Sequence, residues 1–166
     1  AHYDDDRFQA DREEVLADLK NAGVTLAMDI GCDMTTSLKA VQIAESHPFI
    51  YAAVGTHPHE AQHMKPGDLE LYRALCQRPK VRAIGETGLD YYYDNSPREA
   101  QRSWFEKQMQ LAKEVGKPVV IHSRDACEDT MQIVRKYARE VPGVFYCFSY
   151  SLETAKELVK LGWYLR

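Results

Sequence analysis

The sequence predicts an α/β fold in which parallel strands, each followed by a helix, curl into an incomplete barrel. Amphipathic helical segments alternate with short runs rich in Val, Ile and Ala along the whole chain, as expected of a parallel sheet covered by helices. Polar side chains end strand after strand, which is typical of a barrel mouth. About six of the eight βα units of a complete barrel can be identified. No composition shift divides the 166 residues, so we expect a single domain, 1–166.

Each helix is predicted from apolar residues that recur every three or four positions, and each strand from a short apolar run. Glycines and prolines separate these elements: Gly31 follows the first strand, Pro97 opens the longest helix and Gly116 ends it. In chain order the patterns predict helix 11–21, strand 24–30, helix 35–46, strand 50–54, a helix from 68, strand 81–84, helix 96–115, strand 118–121, helix 126–137, strand 144–148, helix 152–161 and strand 163–165.

A doubly wound open sheet is the alternative architecture. Chain length favours it, because a complete eight-stranded barrel usually takes about 250 residues and this chain has 166. However, no glycine-rich phosphate-binding turn follows the first strand, as it would in the nucleotide-binding members of that class. The incomplete barrel therefore remains the better prediction.

Composition and charge restrict the functional classes. A net charge of -4 and a pI of about 5.9 disfavour a broad cationic surface for nucleic acid, so a bound metal and a few arginines would have to neutralise any phosphodiester substrate. The four cysteines show no paired short spacing and indicate reduced thiols in a cytoplasmic protein. No apolar run reaches the roughly 18 residues that a membrane-spanning helix needs.

Three strand-like runs each end in side chains suited to metal binding or acid–base chemistry. His57 and His59 follow the second strand, Glu86 follows the third, and His122 and Arg124 follow the fourth. Because the carboxyl ends of parallel strands converge, we expect these side chains to share one mouth. Neutral imidazole and carboxylate together suit Zn²⁺, Mn²⁺ or Mg²⁺. The pattern therefore predicts a hydrolytic metal site.

These motifs, in this order, resemble the TatD family of metal-dependent deoxyribonucleases, which belongs with the amidohydrolase-like barrels. The likeness covers essentially the whole chain, and the combination of the glutamate motif with the second histidine motif is the most specific part of it. The matching motifs are AHYD at 1–4, VGTHPHEA at 54–61, AIGETGLDY at 83–91, IHSRDA at 121–126 and CFS at 147–149.

The resemblance implies a (βα)8-type barrel that binds one or two divalent ions and cleaves phosphodiester bonds of DNA, in single strands or at ends. By position, it implies that His2, Glu86 and His122 hold metal. Glu86 would be shared between two ions and is the predicted catalytic residue. The residues that the resemblance places at substrate phosphate are His57, His59 and Arg124.

The resemblance also exposes departures from the family pattern. It implies a first strand before Ala1 and a last strand, carrying an aspartate, after Arg166, and we expect the chain to lack both. Tyr146 stands where the family carries a metal-ligating histidine, and Tyr150 replaces a glycine. We therefore expect impaired metal occupancy and activity. The open strand edges should favour self-association that completes the barrel.

Two other functions remain open at this stage. One is a non-catalytic barrel fragment or engineered scaffold that self-associates, and the other is a metal-dependent amidohydrolase acting on C–N bonds. Asp90 could support a metal ligand from behind or simply bind its own loop. The tyrosines at 91–93 could stack on unpaired bases or pack over the rim of the barrel.

Overall fold

In the computed structural model, which describes residues 1–166, six strands form one parallel sheet in strict chain order. This order confirms the curled, incomplete barrel and not the doubly wound sheet, in which strand order reverses. The strands are β1 (Ala27–Ile30), β2 (Ile50–Val54), β3 (Val81–Asp90), β4 (Val119–Arg124), β5 (Gly143–Phe145) and β6 (Tyr164–Leu165). The helices are α1 (Arg12–Asn21), α2 (Met34–Ser46), α3 (Pro66–Leu75), α4 (Arg98–Val115), α5 (Cys127–Tyr137) and α6 (Leu152–Lys160).

Local sequence signals set the helix boundaries. Asp33 caps α2 by accepting a hydrogen bond from the Thr36 backbone N–H at 2.7 Å, and the Thr36 hydroxyl accepts one from the Asp33 N–H at 2.9 Å. Gly116 ends α4 in the left-handed conformation, with φ of 64°, which glycine adopts without steric cost. The longest helix therefore begins and ends where its proline and glycine predicted.

The core has two layers on the two faces of the sheet. The larger layer holds 27 buried residues between the sheet and the helices, including Ile84, Phe105 and Ile121. Burying a side chain of this size contributes about 1.5–3 kcal/mol, so this layer stabilises most of the fold. The smaller layer is the concave face of the half-barrel, and its buried members are Ile30, Ala53, Ala83 and Val120.

The third and fourth strands are longer than predicted. We expected them to end at residues 84 and 121, but they continue side by side until Asp90 pairs with Arg124. Gly88 makes this possible, because its φ is +137° and a Cβ there would lie 1.9 Å from the His122 carbonyl oxygen. The polar sequence after residue 84 reads as a loop, yet a close partner strand keeps it extended.

Other boundaries also differ from the prediction. β5 ends at Phe145 and not at residue 148, because Cys147 takes a left-handed turn with φ of 52°. The segment after β2, for which no helix was predicted, forms a 3₁₀ helix, Pro58–His63. None of the helices combines the length and apolar character needed to cross a membrane.

Candidate metal centre

A cavity of about 400 Å³ lies at the carboxyl ends of the strands. Side chains from the N-terminal segment and from the ends of β1 to β5 meet there, as strand convergence predicts. Its lining residues are His2, Cys32, His57, His59, Glu60, Glu86, His122, Tyr146 and Cys147.

Glu86 lies at the centre of this cavity. The pairing of β3 with β4 is irregular between Ile84 and Thr87, and such an irregularity re-aims a side chain out of the regular ladder. Its carboxylate lies 3.3 Å from His122 Nδ1 and 3.9 Å from His2 Nε2. The residue is only 3% exposed, and no Lys or Arg forms an ion pair with it. A buried carboxylate surrounded by imidazoles lacks the positive charge that burial normally requires.

Electrostatics keep the central groups in metal-binding forms. Burial alone would raise the pKa of Glu86, but the His122 hydrogen bond and the nearby histidines outweigh it, and the pKa is lowered. Burial, followed by the charge of His122, lowers the pKa of His57 to about 3. At neutral pH the site therefore presents an ionised carboxylate beside a neutral imidazole, as metal binding requires.

Asp90 orients two of the histidines through hydrogen bonds to their rings. Its Oδ2 accepts hydrogen bonds from His59 Nε2 and His122 Nε2, both at 2.9 Å. Because Nε2 of His122 is directed at Asp90, its other ring nitrogen, Nδ1, is the one that faces Glu86. Burial opposes the charged form of His122, but Glu86 and Asp90 outweigh it and raise its pKa. This carboxylate–histidine arrangement is the one that orients metal-binding imidazoles in known sites.

Two groups of ligand atoms meet the distance requirement for a cation, and Glu86 belongs to both. His57, Glu86 and His122 form one group, and His2, Cys32 and Glu86 form the other, each with its ligand atoms within 4.8 Å of one another. His2 Nδ1 bonds the Ile30 carbonyl at 2.9 Å, so its Nε2 faces Glu86. Burial raises the pKa of Cys32 to about 12, which makes its protonated thiol a weaker donor than the imidazoles. These donors fit one or two divalent ions.

Most of the residues singled out from sequence come together here. His2, Glu86 and His122 share the cavity with His57 and His59, whereas Arg124 lies outside its lining, with its guanidinium 3.8 Å from the centroid of the Tyr92 ring. Sequence reasoning missed Cys32, although it follows β1 directly and the rule of strand ends would have found it. It also assigned His57 only to phosphate, while the geometry makes it a candidate ligand.

Comparisons with known proteins show which family the chain belongs to. The sequence model of the family described as "TatD related DNase" matches residues 1–165. The chain belongs to the TatD family. An "uncharacterized metal-dependent hydrolase", YabD of Bacillus subtilis, is 41% identical over 166 residues, and a "3'-5' ssDNA/RNA exonuclease TatD" of Edwardsiella piscicida is 32% identical over 161 residues. These alignments cover 99% and 96% of this chain.

The TatD fold is also found among solved structures. The crystal structure of YjjV, a TatD homologue from Escherichia coli K12, superposes with a TM-score of 0.90 at 29% identity and covers 99% of this chain. The chain spans 65% and 62% of the lengths of the two relatives named above and 64% of the YjjV chain. It therefore corresponds to about two thirds of a TatD protein.

Tyr146 and Tyr150, which the sequence resemblance singles out as departures from the family pattern, differ in position. Tyr146 lines the cavity, where a phenol is a poorer ligand than an imidazole because it must first lose its proton. Tyr150 does not line it. The Tyr150 hydroxyl instead bonds Ser123 Oγ at 2.6 Å and accepts from the Ala126 N–H at 3.2 Å. Only Tyr146 alters the surroundings of the candidate ligands directly.

Proposed function

We propose that this chain carries the centre of a metal-dependent hydrolase that cleaves phosphodiester bonds in nucleic acid, with single strands or ends as substrate. The observation that carries the proposal is the buried Glu86 carboxylate, which faces His2 and His122 and has no Lys or Arg partner. A divalent cation would neutralise it and accept the imidazole nitrogens as further ligands. The names of the relatives, a metal-dependent hydrolase and single-strand exonucleases, support the same chemistry.

The candidate ligands divide between two proposed ions. His57, Glu86 and His122 would hold one ion, and His2 with Glu86 would hold another, with Cys32 adjacent. The mixture of nitrogen and oxygen donors favours Zn²⁺ or Mn²⁺ over Mg²⁺. When bound, such ions supply an activated water and stabilise the leaving oxygen of an in-line displacement.

The protein's own groups provide orientation and charge. Asp90 holds the Nε2 protons of His59 and His122, so both rings keep one tautomer while substrate exchanges. His59 lines the cavity and Arg124 lies just outside it. We assign both to the phosphate groups that flank the scissile bond, because an imidazole N–H and a planar guanidinium are suitable donors to phosphate oxygen.

Replacement of the central carboxylate tests this proposal. Glu86→Gln keeps the size of the side chain but removes its charge. We expect Mn²⁺ or Zn²⁺ affinity, measured calorimetrically, to fall by at least about 100-fold, and metal-dependent cleavage of a labelled single-stranded oligonucleotide to be lost. Glu14→Gln, at an exposed position on α1, is the matched control and should change neither quantity.

Several results would contradict the proposal. Unchanged metal affinity in Glu86→Gln would show that Glu86 does not bind the metal. A folded, unmodified chain that neither binds metal nor cleaves the oligonucleotide would favour the non-catalytic scaffold. Cleavage of amide substrates but not of oligonucleotides would favour the amidohydrolase. The replacement of histidine by Tyr146 predicts low rather than absent activity, because the other candidate ligands remain.

We also propose that a second copy of the chain covers the open edges of the sheet. β1 and β6 each have only one neighbouring strand, and the outer edge of β1 is bonded only by Ala1 and His2. An apolar hollow of about 450 Å³, lined in part by Met28, Val120 and Val144, opens on the concave face. Unpaired strand edges beside apolar surface favour association. Light scattering that shows only a monomer at high concentration would exclude this assembly.

A further inference from the structure

Three consecutive tyrosines follow β3, and the structure divides them into two kinds. Tyr91 packs against the main core, and its hydroxyl donates to Asp129 Oδ2 at 2.5 Å. Tyr92 and Tyr93 are 57% and 55% exposed, and their hydroxyls form no hydrogen bond within the chain. Rim packing therefore explains Tyr91, whereas the other two rings keep most of their surface in water.

The exposed pair is fixed in place at the backbone. The N–H groups of Tyr92 and Tyr93 both donate to Asp90 Oδ1, at 3.0 and 2.9 Å. Asp90 is fully buried, and its other oxygen binds His59 and His122 of the candidate metal centre. The same carboxylate thus positions the rings and the imidazoles relative to each other. A backbone held in this way loses little further freedom when the two rings bind a ligand.

A cation without an ion pair completes the surface. The Arg124 guanidinium forms no hydrogen bond or ion pair, and it lies 3.8 Å from the ring centroid of Tyr92 and 4.8 Å from that of Tyr93. Most other arginines in this acidic chain pair with carboxylates. The five N–H donors of Arg124 therefore remain available to an anion beside two aromatic rings.

The surface is continuous with the cavity. The ring centroid of Tyr93 lies 5.5 Å from that of His59, and His59 lines the cavity beside His57, whose ring centroid is 4.4 Å away. A chain of alternating phosphates and bases that enters the cavity would pass over these rings.

From this geometry we infer that Tyr92, Tyr93 and Arg124 form a base-stacking platform, which holds the unpaired base next to the scissile phosphate. This inference rests on the proposed phosphodiesterase function and adds how the substrate is selected. Exposed aromatic rings stack on any base, while the guanidinium binds the adjoining phosphate. A duplex offers no free base face away from its ends, so the platform selects single strands.

Binding of two matched ligands tests the platform. One is a short labelled oligothymidylate with phosphorothioate linkages, and the other is a phosphorothioate strand of equal length without bases. Both are titrated by fluorescence anisotropy in the presence of Mn²⁺. We expect Tyr92→Ala and Tyr93→Ala each to weaken oligothymidylate binding by roughly 5-fold to 150-fold, the range of base–aromatic stacking, and to leave the base-free strand unaffected.

Two controls separate stacking from general disturbance. Tyr92→Phe keeps the ring and should bind oligothymidylate as the unmodified chain does. Tyr164→Ala removes another exposed tyrosine, 73% exposed on β6 and without a cation on its ring, and should bind both ligands normally. Arg124→Ala should weaken binding of both ligands, because its phosphate contact does not require a base.

The possible failures are distinct. Equal weakening of both ligands in the tyrosine variants, no weakening in either, or no binding by the unmodified chain would each overturn the platform. The proposed function is tested separately with a base-free phosphodiester strand, whose metal-dependent cleavage does not need the rings. Cleavage of that strand together with normal binding by the tyrosine variants would keep the phosphodiesterase and reject the platform alone.

Discussion

Two parts of the carboxyl edge of the sheet are built from different chemistry. The central rim, defined by Glu86, Asp90 and His122 on β3 and β4, consists of charged and titratable groups that bond one another. The edge rim, defined by Tyr146 and Tyr150 after β5, carries phenols, and the Tyr150 hydroxyl bonds a serine and a backbone N–H. Both follow strand ends of one sheet. The difference shows that a strand end contributes to a metal site only when its side chains are of types that bind metal.

The two parts also differ in their support. β3 and β4 run side by side as far as Asp90 and Arg124, whereas β5 ends at Phe145 and pairs on its outer side only with the two-residue strand β6. Ile121 on β4 is completely buried, while Tyr164 on β6 is 73% exposed. Two of the candidate ligands, Glu86 and His122, therefore lie on strands that are paired on both sides, and such rigid elements suit an oriented metal site. The edge is held by fewer contacts.

The largest expected effect concerns this difference in support. Ile121→Ala leaves a cavity under the central rim and should lower the free energy of unfolding by about 2–5 kcal/mol. Leu152→Ala, at a position 64% exposed at the start of α6, is the control and should change it by less than about 0.5 kcal/mol. Equilibrium urea unfolding measures both. Equal losses would mean that the edge is as well packed as the centre.

The next prediction gives the edge rim a side chain of the kind found in the central rim. Tyr146→His restores an imidazole to the cavity lining, and we expect affinity for Mn²⁺ or Zn²⁺ to rise about tenfold or more, measured by calorimetry. Tyr164→His adds the same group to an exposed position outside the cavity and should leave affinity unchanged. A similar rise in both variants would indicate unspecific binding by added histidine.

A smaller effect is expected from the bonds of the second edge tyrosine. Tyr150→Phe removes the hydroxyl that joins Ser123 Oγ and the Ala126 N–H, and the free energy of unfolding should fall by about 1 kcal/mol. Tyr164→Phe removes a hydroxyl that has no partner and serves as the control. If the two variants unfold at the same urea concentration, the Tyr150 hydroxyl does not hold the loop after β4.

The smallest effect is a pH dependence, which separates a tyrosine bonded to a carboxylate, Tyr91, from the edge tyrosine Tyr150, which bonds only uncharged groups. The Tyr91 hydroxyl, with Arg102, lowers the pKa of Asp129, so its charged form stabilises the fold. That stabilisation is complete above the unfolded-state pKa of about 3.9 and is lost as pH falls through the lower folded-state value. The stability difference between the unmodified chain and Asp129→Asn should therefore shrink below about pH 4. The stability difference between the unmodified chain and Tyr150→Phe should stay constant over the same pH range. A parallel decline of the two differences would contradict this expectation.

Much of the fold was predictable because its signals are local. The bounds of β2 were predicted correctly, and α4 begins and ends within two residues of its prediction, since apolar periodicity and a terminal glycine act over a few residues. The extension of β3 to Asp90 was not predictable from its own sequence. The two glycines and two polar residues between Ile84 and Asp90 are typical of a loop, and only pairing with β4 makes this segment a strand.

The candidate site was likewise predictable only in part. Residue types and the rule of strand ends predicted that Glu86 and His122 would share a cavity, and the structure places them 3.3 Å apart. Whether each is a ligand remains a prediction. The second carboxylate, Asp90, was left between two roles, because a hydrogen bond to His59 and His122 depends on strand register, which periodicity does not determine.

The sequence by itself determined the family, the alternation of strands and helices, and the kinds of side chain that reach the mouth, because these depend on residue type and order. Only the tertiary structure decided that Cys32 and His57 lie within reach of Glu86 as candidate ligands, that Tyr146 lines the cavity while Tyr150 does not, and that Tyr92 and Tyr93 stay exposed beside an unpaired arginine. The physical reason is that side-chain direction depends on register, bulges and turns, which are set by contacts between segments distant in the chain.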